Sequence, residues 1–291
     1  MKLFNTLCLE IDSTCNRKCQ FCPVAYNQRP DELMTPDLIS KALTELAGLK
    51  YRGRVELYIY NEPCRNFEHL LNVLRMFSTA LPGVTFMVAS NGDYLDGPRM
   101  AELYGAGLQQ LLVNCYTPGL FEKRQSWLEW LPDDVEVDGP IYTKLARGKR
   151  TFQMLDKSNP DEFGSGVFGL TNRSGLLEGY LPPTPEPLER MCVRPFRVLN
   201  VNWQGDAMVC CNDYHADVEV GSLHDLTLLE LWHHPVMNLY RTKLLDRDRS
   251  LPLCDVCDCH AGAYPGNVDT CLLYTSPSPR DQRGSRMPSS A

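Results

Sequence analysis

Three cysteines near the amino-terminal end have a spacing that suits iron–sulfur chemistry. Cys15, Cys19 and Cys22 form a C-x3-C-x2-C pattern within the segment CNRKCQFCP. A short loop of this kind can place three thiolates around one [4Fe-4S] cluster, and it leaves one iron open because no fourth cysteine is near. A zinc knot is the alternative, but zinc sites usually pair two short C/H arms and no histidine lies near this triplet. The spacing favours a cluster with one open iron.

A second group of cysteines lies in the last third of the chain. Cys192 is followed by the pair Cys210 and Cys211, and then by the segment CDVCDC, which begins at Cys254. Taken alone, these residues fit a four-thiolate zinc or rubredoxin-type iron site as well as an iron–sulfur cluster. The triplet upstream favours iron and sulfur for this group too.

Composition limits the class of protein. The chain has 291 residues, 43% hydrophobic composition and a formal net charge of −7. This is enough for one large core with a small second domain, and an acidic chain without a basic run predicts no nucleic-acid partner. It has no apolar run long enough to span a membrane and no signal-peptide pattern. Thirteen cysteines under these conditions predict a cytoplasmic protein that uses thiols as ligands.

The elements that must position the cysteines alternate between strands and helices. Leu3 to Ile11 predicts a buried strand that leads into the triplet, and Thr35-Pro36-Asp37 predicts the start of a helix. Alternation of this kind implies parallel strands with right-handed crossovers and an α/β fold whose site lies at the carboxyl ends of the strands. We expect further strands at Val55–Tyr60, Val84–Ala89, Leu108–Cys115 and Thr151–Leu155, and helices at Phe67–Leu81, Arg99–Tyr104 and around Trp127.

The triplet, with Phe21 just before its third cysteine, resembles the signature of the radical S-adenosylmethionine (SAM) enzymes. The resemblance implies a partial TIM-type (β/α)6 barrel and a cluster whose open iron is chelated by SAM. It also implies a low-potential electron donor such as flavodoxin or ferredoxin, because one electron splits SAM to a 5'-deoxyadenosyl radical.

Residues after three predicted strands match positions that contact SAM in that family. Tyr60-Asn61-Glu62-Pro63 stands where members carry Gly-Gly-Glu-Pro, so Glu62 is expected to hold the amino group of SAM, with Asn61 beside it. Ser90 and Asn91 resemble the family's Thr-Asn-Gly turn, and Asn114 lies where a residue near the SAM ribose is common. Without the triplet, each of these stretches would be an ordinary turn.

The second group of cysteines resembles the SPASM or twitch domain of radical SAM enzymes. The resemblance implies that an auxiliary [4Fe-4S] cluster with no open iron is held by Cys192, Cys210, Cys254 and Cys257. Cys211 and Cys259 receive no role from it.

These motifs predict a chain of two domains. We expect a radical SAM core at residues 1–180, a proline-rich linker at 181–191 and the auxiliary-cluster domain at 192–265. Residues 271–291 match a translated sequencing adapter, and we expect them to be a disordered tail that is foreign to the natural chain.

The segment Asn172-Arg173-Ser174-Gly175 resembles a substrate-binding stretch of a dehydrogenase in this family, which implies that Arg173 binds substrate. The expected function is oxidation of a small polyol, aminocyclitol or sugar, with the auxiliary cluster accepting one electron. The alternatives are a radical SAM peptide maturase and a non-catalytic zinc-binding protein. Turn chemistry alone would also explain the four-residue segment.

Overall fold

A computed structural model describes residues 3–137, 150–158, 171–177 and 179–259. The adapter-like tail at 271–291 lies outside the described residues. The described chain forms an α/β fold around one sheet of eight strands in the order β5-β6-β4-β3-β2-β1-β7-β8. The strands are β1 (Thr6–Leu9), β2 (Arg54–Glu56), β3 (Thr85–Ser90), β4 (Gln110–Cys115), β5 (Val135–Val137), β6 (Arg150–Asp156), β7 (Val198–Val201) and β8 (Ala207–Met208).

Helices connect the early strands, as the sequence pattern predicted. The helices are α1 (Pro36–Gly48), α2 (Phe67–Ala80), α3 (Gly97–Gly105), α4 (Leu120–Lys123), α5 (Leu228–Trp232) and α6 (Pro235–Leu245). Thr35 caps α1, because its side chain accepts a hydrogen bond from the backbone N–H of Leu38, and Pro36 occupies the first turn. The helix expected around Trp127 is a 3-10 helix, Arg124–Trp130.

The first six strands are parallel and form the open sheet expected of a partial barrel. Their inward residues are apolar and fully buried, for example Leu7, Val55, Phe86 and Leu111. Burial of each such side chain contributes about 1.5–3 kcal/mol. Strand β2 is shorter than expected. The Leu57 N–H still donates to the Met87 carbonyl of β3 at 3.2 Å, but the Tyr60 N–H donates to the Glu10 carboxylate instead of a neighbouring strand.

The expected boundary between the two domains is crossed by the sheet. Strand β7 pairs in parallel with β1, with Thr6 opposite Val198 and Leu9 opposite Val201, and β8 pairs with β7 in antiparallel fashion. The cysteine-rich segment therefore begins by extending the core sheet, and its loops lie beside the triplet loop that follows β1. Among the described residues, no helix is long and apolar enough to cross a membrane.

Candidate iron–sulfur and substrate site

The triplet loop is anchored to the loop that follows β3. Arg17, inside the triplet, donates from Nε and Nη2 to the two carboxylate oxygens of Asp93 at 2.6 and 2.7 Å. Asn16 donates to the same carboxylate at 2.8 Å, and the buried Arg124 approaches it from the other side at 3.2 Å. Parallel strands place both loops at one edge of the sheet. Asp93 is therefore a main anchor of the triplet loop.

The three triplet thiols are half-buried and lie close enough to influence one another. Burial, followed by smaller effects that include the Glu62 carboxylate, raises the pKa of Cys15 to about 12. Burial and the neighbouring Cys22 raise the pKa of Cys19 to about 11. The amide of Asn91 lies 3.8 Å from the Cys15 sulfur. Free thiols here stay protonated, so cluster binding must release their protons.

Glu62 links the ends of β2 and β3. Its carboxylate is 2% exposed and accepts hydrogen bonds from Ser90 Oγ at 2.6 Å, from the Asn91 N–H at 2.6 Å and from the Cys64 N–H at 3.1 Å. Burial raises its pKa to about 7, despite these three donors. A carboxylate has about four acceptor positions, so one remains for an ammonium group.

The other expected SAM contacts lie around the same edge. Asn114, at the end of β4, is 7% exposed, and its Oδ1 has no hydrogen-bond partner within the described residues. Phe21 packs on Tyr116 with ring centroids 5.4 Å apart. The Oδ1 of Asn61 accepts from the Ile59 N–H at 3.1 Å, whereas its Nδ2 is buried and has no hydrogen-bond partner within the described residues.

Arg173 lies between the two groups of cysteines. Its guanidinium is 6.0 Å from the Tyr60 ring centroid, and its Nε has no hydrogen-bond partner among the described residues. Burial disfavours its charge, but Tyr60, Cys211 and Cys22 raise its pKa above the usual value. Arg173 can therefore present a charged donor to a molecule bound between the two sites.

The later cysteines surround one cavity. The four predicted ligands line it together with Cys259, to which the sequence pattern gives no role, whereas Cys211 does not line it. The Cys257 and Cys259 thiols are in contact, and the hydrogen bond from Cys259 lowers the pKa of Cys257 despite burial. Asn212 donates to Cys257 at 3.5 Å from its side chain and to Cys210 at 3.4 Å from its backbone.

A buried cation clamps the loops of this cavity. Arg249 is 2% exposed and donates to the carbonyl oxygens of Arg190 at 2.9 Å and Cys259 at 3.0 Å. Longer contacts reach the carbonyls of Met191 and Cys257. On the opposite side, Arg194 approaches the Cys211 sulfur at 3.3 Å.

Sequence reasoning missed several residues of this region. Asp93 directly follows the Ser90-Asn91-Gly92 turn, so its position was a usable signal. Lys157 follows β6, and burial together with the Arg173 charge lowers its pKa to about 8. Arg124 and Arg249 gave no signal, because a buried arginine is recognised only through partners that are distant in sequence.

The two cysteine groups fit iron–sulfur clusters in their donor chemistry. The later thiols lie around one cavity, as ligands of a multi-iron cluster do. The unpartnered Asn114 Oδ1 and Arg173 Nε supply polar contacts for a ligand beside the triplet.

The chain is similar to a known iron–sulfur domain and to a known dehydrogenase. Residues 192–260 match the SPASM iron–sulfur cluster-binding domain. The SAM-dependent 2-deoxy-scyllo-inosamine dehydrogenase of Niallia circulans is 24% identical over 262 residues, which cover 88% of this chain and 94% of that protein.

Solved structures show the same fold. BtrN in complex with AdoMet and 2-DOIA is 22% identical, with a TM-score of 0.70 over 89% of this chain and 94% of that one. Native anSMEcpe with bound AdoMet is 13% identical, with a TM-score of 0.51 over 82% and 83% of the two chains. The chain thus has the fold of BtrN, matches the SPASM iron–sulfur cluster-binding domain over residues 192–260 and is similar over most of its length to the SAM-dependent 2-deoxy-scyllo-inosamine dehydrogenase.

Proposed function

We propose that this protein is a radical SAM oxidoreductase that oxidises a hydroxyl-bearing carbon of a small aminocyclitol. The substrate named for the Niallia circulans relative, 2-deoxy-scyllo-inosamine, is the candidate to test first. The observation that carries the proposal is the position of Arg173, whose guanidinium lies 6.0 Å from the Tyr60 ring centroid and whose neighbour Ser174 lines the cavity of the second group of cysteines.

The triplet is the site of SAM cleavage in this proposal. Cys15, Cys19 and Cys22 would hold one [4Fe-4S] cluster. When bound, this cluster and SAM supply a 5'-deoxyadenosyl radical after one electron arrives from a low-potential donor such as flavodoxin or ferredoxin.

The strand ends hold SAM against that cluster. Glu62 uses its remaining acceptor position for the SAM amino group, while Ser90 and Asn91 keep the carboxylate in place. The Asn114 Oδ1 is free to accept from a ribose hydroxyl. Phe21 covers one side of the site, and Asn61 shapes the loop that carries Glu62.

Arg173 orients the substrate through hydrogen bonds to its hydroxyl groups, each worth roughly 1.5–3 kcal/mol when desolvated. Oxidation to the ketone requires the loss of a hydrogen atom, a proton and one electron; bound SAM would accept the hydrogen atom, and a cluster held by Cys192, Cys210, Cys254 and Cys257 would accept the electron. The products are a ketone and 5'-deoxyadenosine. We place this reaction in the cytoplasm, because clusters need reduced thiols and cytosolic donors.

Product analysis of the anaerobically reconstituted protein tests the function. With SAM, dithionite and 2-deoxy-scyllo-inosamine, we expect 5'-deoxyadenosine and a ketone in equal amounts. Cys15→Ala should abolish both products, whereas Cys211→Ser is the matched control that keeps the triplet.

The role of Arg173 is tested by Arg173→Lys, which keeps the charge but loses the planar fork. This variant should retain iron and SAM cleavage and lose at least about tenfold in ketone formed per 5'-deoxyadenosine, or about 1.4 kcal/mol. Equal coupling in both proteins would remove Arg173 from the site. SAM cleavage that only a peptide stimulates would favour a maturase, and a colourless zinc protein would exclude the enzyme.

A further inference from the structure

The segment that carries Arg173 is fastened to the loop of the auxiliary cysteines. Asn172 is fully buried, and its side-chain amide donates to the carbonyls of Val256 at 2.7 Å and Pro182 at 3.1 Å. Its backbone N–H donates to the Asp258 carboxylate at 2.9 Å, and the Asp258 N–H returns a 3.4 Å bond to Asn172 Oδ1. Val256 and Asp258 flank Cys257, so the hydrogen bonds of Asn172 depend on the conformation of that cysteine loop.

The turn after Asn172 has a left-handed backbone and contacts the same loop. Arg173, Ser174 and Gly175 have φ angles of +50°, +56° and +83°. Residues with a Cβ rarely adopt this left-handed region, and a run of them needs external support. Ser174 lines the cavity of the auxiliary cysteines, and a Cβ on Gly175 would lie 3.4 Å from Val256.

The expected linker adds a second fastening. The Thr184 N–H donates to the Val256 carbonyl at 3.0 Å. The Val256 carbonyl therefore accepts from both Asn172 and Thr184, and the loop of residues 254–259, the turn of 172–175 and the start of the linker meet at one point.

We propose that Asn172 is a positioning residue that couples the auxiliary-cluster loop to Arg173. Filling of the auxiliary site fixes the loop of residues 254–259, the loop fixes Asn172, and Asn172 holds the left-handed turn that aims Arg173 at the substrate. Occupancy of the auxiliary site is thereby coupled to the position of Arg173. In a protein with an empty auxiliary site, Arg173 is misplaced. This inference rests on the proposed function for the role of Arg173.

Amide hydrogen exchange tests the coupling without any substrate. Cys210→Ala should empty the auxiliary site from a residue outside the loop, and peptides that cover residues 171–177 should then exchange at least about tenfold faster. Cys15→Ala, which empties the other site, is the matched control and should leave these peptides unchanged. Unchanged exchange in Cys210→Ala would overturn the coupling, whether or not the protein oxidises an aminocyclitol.

Asn172→Ala tests the same coupling with all cysteines present. We expect it to keep the iron content and SAM cleavage of the parent protein and to show the faster exchange at 171–177. Asp258→Ala should do the same to a smaller degree, and Asp258→Asn, which keeps the acceptor oxygen for the Asn172 N–H, should restore protection.

Substrate binding provides the second readout. Asn172→Ala should raise the dissociation constant of 2-deoxy-scyllo-inosamine about as much as Arg173→Lys does. The double variant should bind this substrate no more weakly than Arg173→Lys alone. Additive losses would show that Asn172 acts by another route. Loss of auxiliary iron in Asn172→Ala would assign Asn172 to cluster assembly and would also overturn the proposal.

Discussion

Removal of the Asp93 charge should release the triplet loop. Asp93→Asn keeps one acceptor oxygen but replaces the other with an amide that cannot accept from Arg17. The change breaks a pair held at 2.6 and 2.7 Å and leaves Arg124, whose side chain is 7% exposed, without its carboxylate. Charge-assisted hydrogen bonds contribute about 1.5–3 kcal/mol each, and partial exposure of Arg17 and Asp93 reduces this sum. We expect a loss of about 2 kcal/mol in the free energy of unfolding.

Iron analysis and thermal unfolding measure the effect. A loss of this size corresponds to a Tm that is roughly 4–8 °C lower. Because the triplet would no longer be held in place, the iron content should fall from about eight toward about four per chain, with the auxiliary cluster retained. Asp134→Asn breaks the exposed pair with Arg150 at 2.7 Å and serves as the matched control, with little change in Tm and none in iron.

The pH dependence gives an independent check. Burial opposes ionisation of Asp93, but Arg17, Asn16 and Arg124 lower its pKa below the usual value. A depressed carboxyl pKa stabilises the fold above the pKa of the unfolded chain, about 3.9, and this stabilisation is lost as pH falls through the folded pKa. The Tm difference between parent and Asp93→Asn should be complete at pH 7 and shrink below about pH 4. An unchanged Tm with full iron in Asp93→Asn would refute the anchoring role.

Three further predictions concern the two sites. SAM binding should strengthen as pH rises through about 7, where Glu62 ionises. Glu62→Gln should bind SAM at least about tenfold more weakly and without this pH dependence. Equilibrium dialysis with labelled SAM measures both effects. Cys257→Ser should lose about four irons and Cys259→Ser should lose none if Cys257 is the ligand; the reverse pattern would exchange their roles. Arg249→Lys should lose the auxiliary iron, because an ammonium cannot bridge the carbonyls of Arg190 and Cys259 as the guanidinium does. The measurements are the iron content, which should fall, and SAM cleavage, which should stay unchanged.

Local signals in the sequence predicted the α/β class and most of the core elements. Thr35 and Pro36 specify a helix start by their own chemistry, and the structure has the cap and the helix there. The same holds for β3 and β4, whose runs of buried apolar residues are typical of parallel strands covered on both faces. The spacing of the triplet likewise depends only on neighbouring residues.

Long-range contacts could not be predicted in this way. Strand β7 is a short apolar run that could pair with any strand edge, and only the fold places it beside β1. Asn172 has the composition of a turn former, and its burial against Val256 and Asp258 depends on residues more than eighty positions away. Cys259 gave no signal because its relevance depends on the cavity it lines.

Isotope transfer from the substrate to 5'-deoxyadenosine measures hydrogen abstraction itself. The reconstituted protein would be mixed under anaerobic conditions with SAM, dithionite and 2-deoxy-scyllo-inosamine deuterated at its hydroxyl-bearing carbons, and the 5'-deoxyadenosine would be analysed by mass spectrometry. We expect one deuterium to enter 5'-deoxyadenosine for each ketone formed. 5'-Deoxyadenosine without deuterium in the presence of this substrate, or protein that holds zinc and no iron, would contradict it.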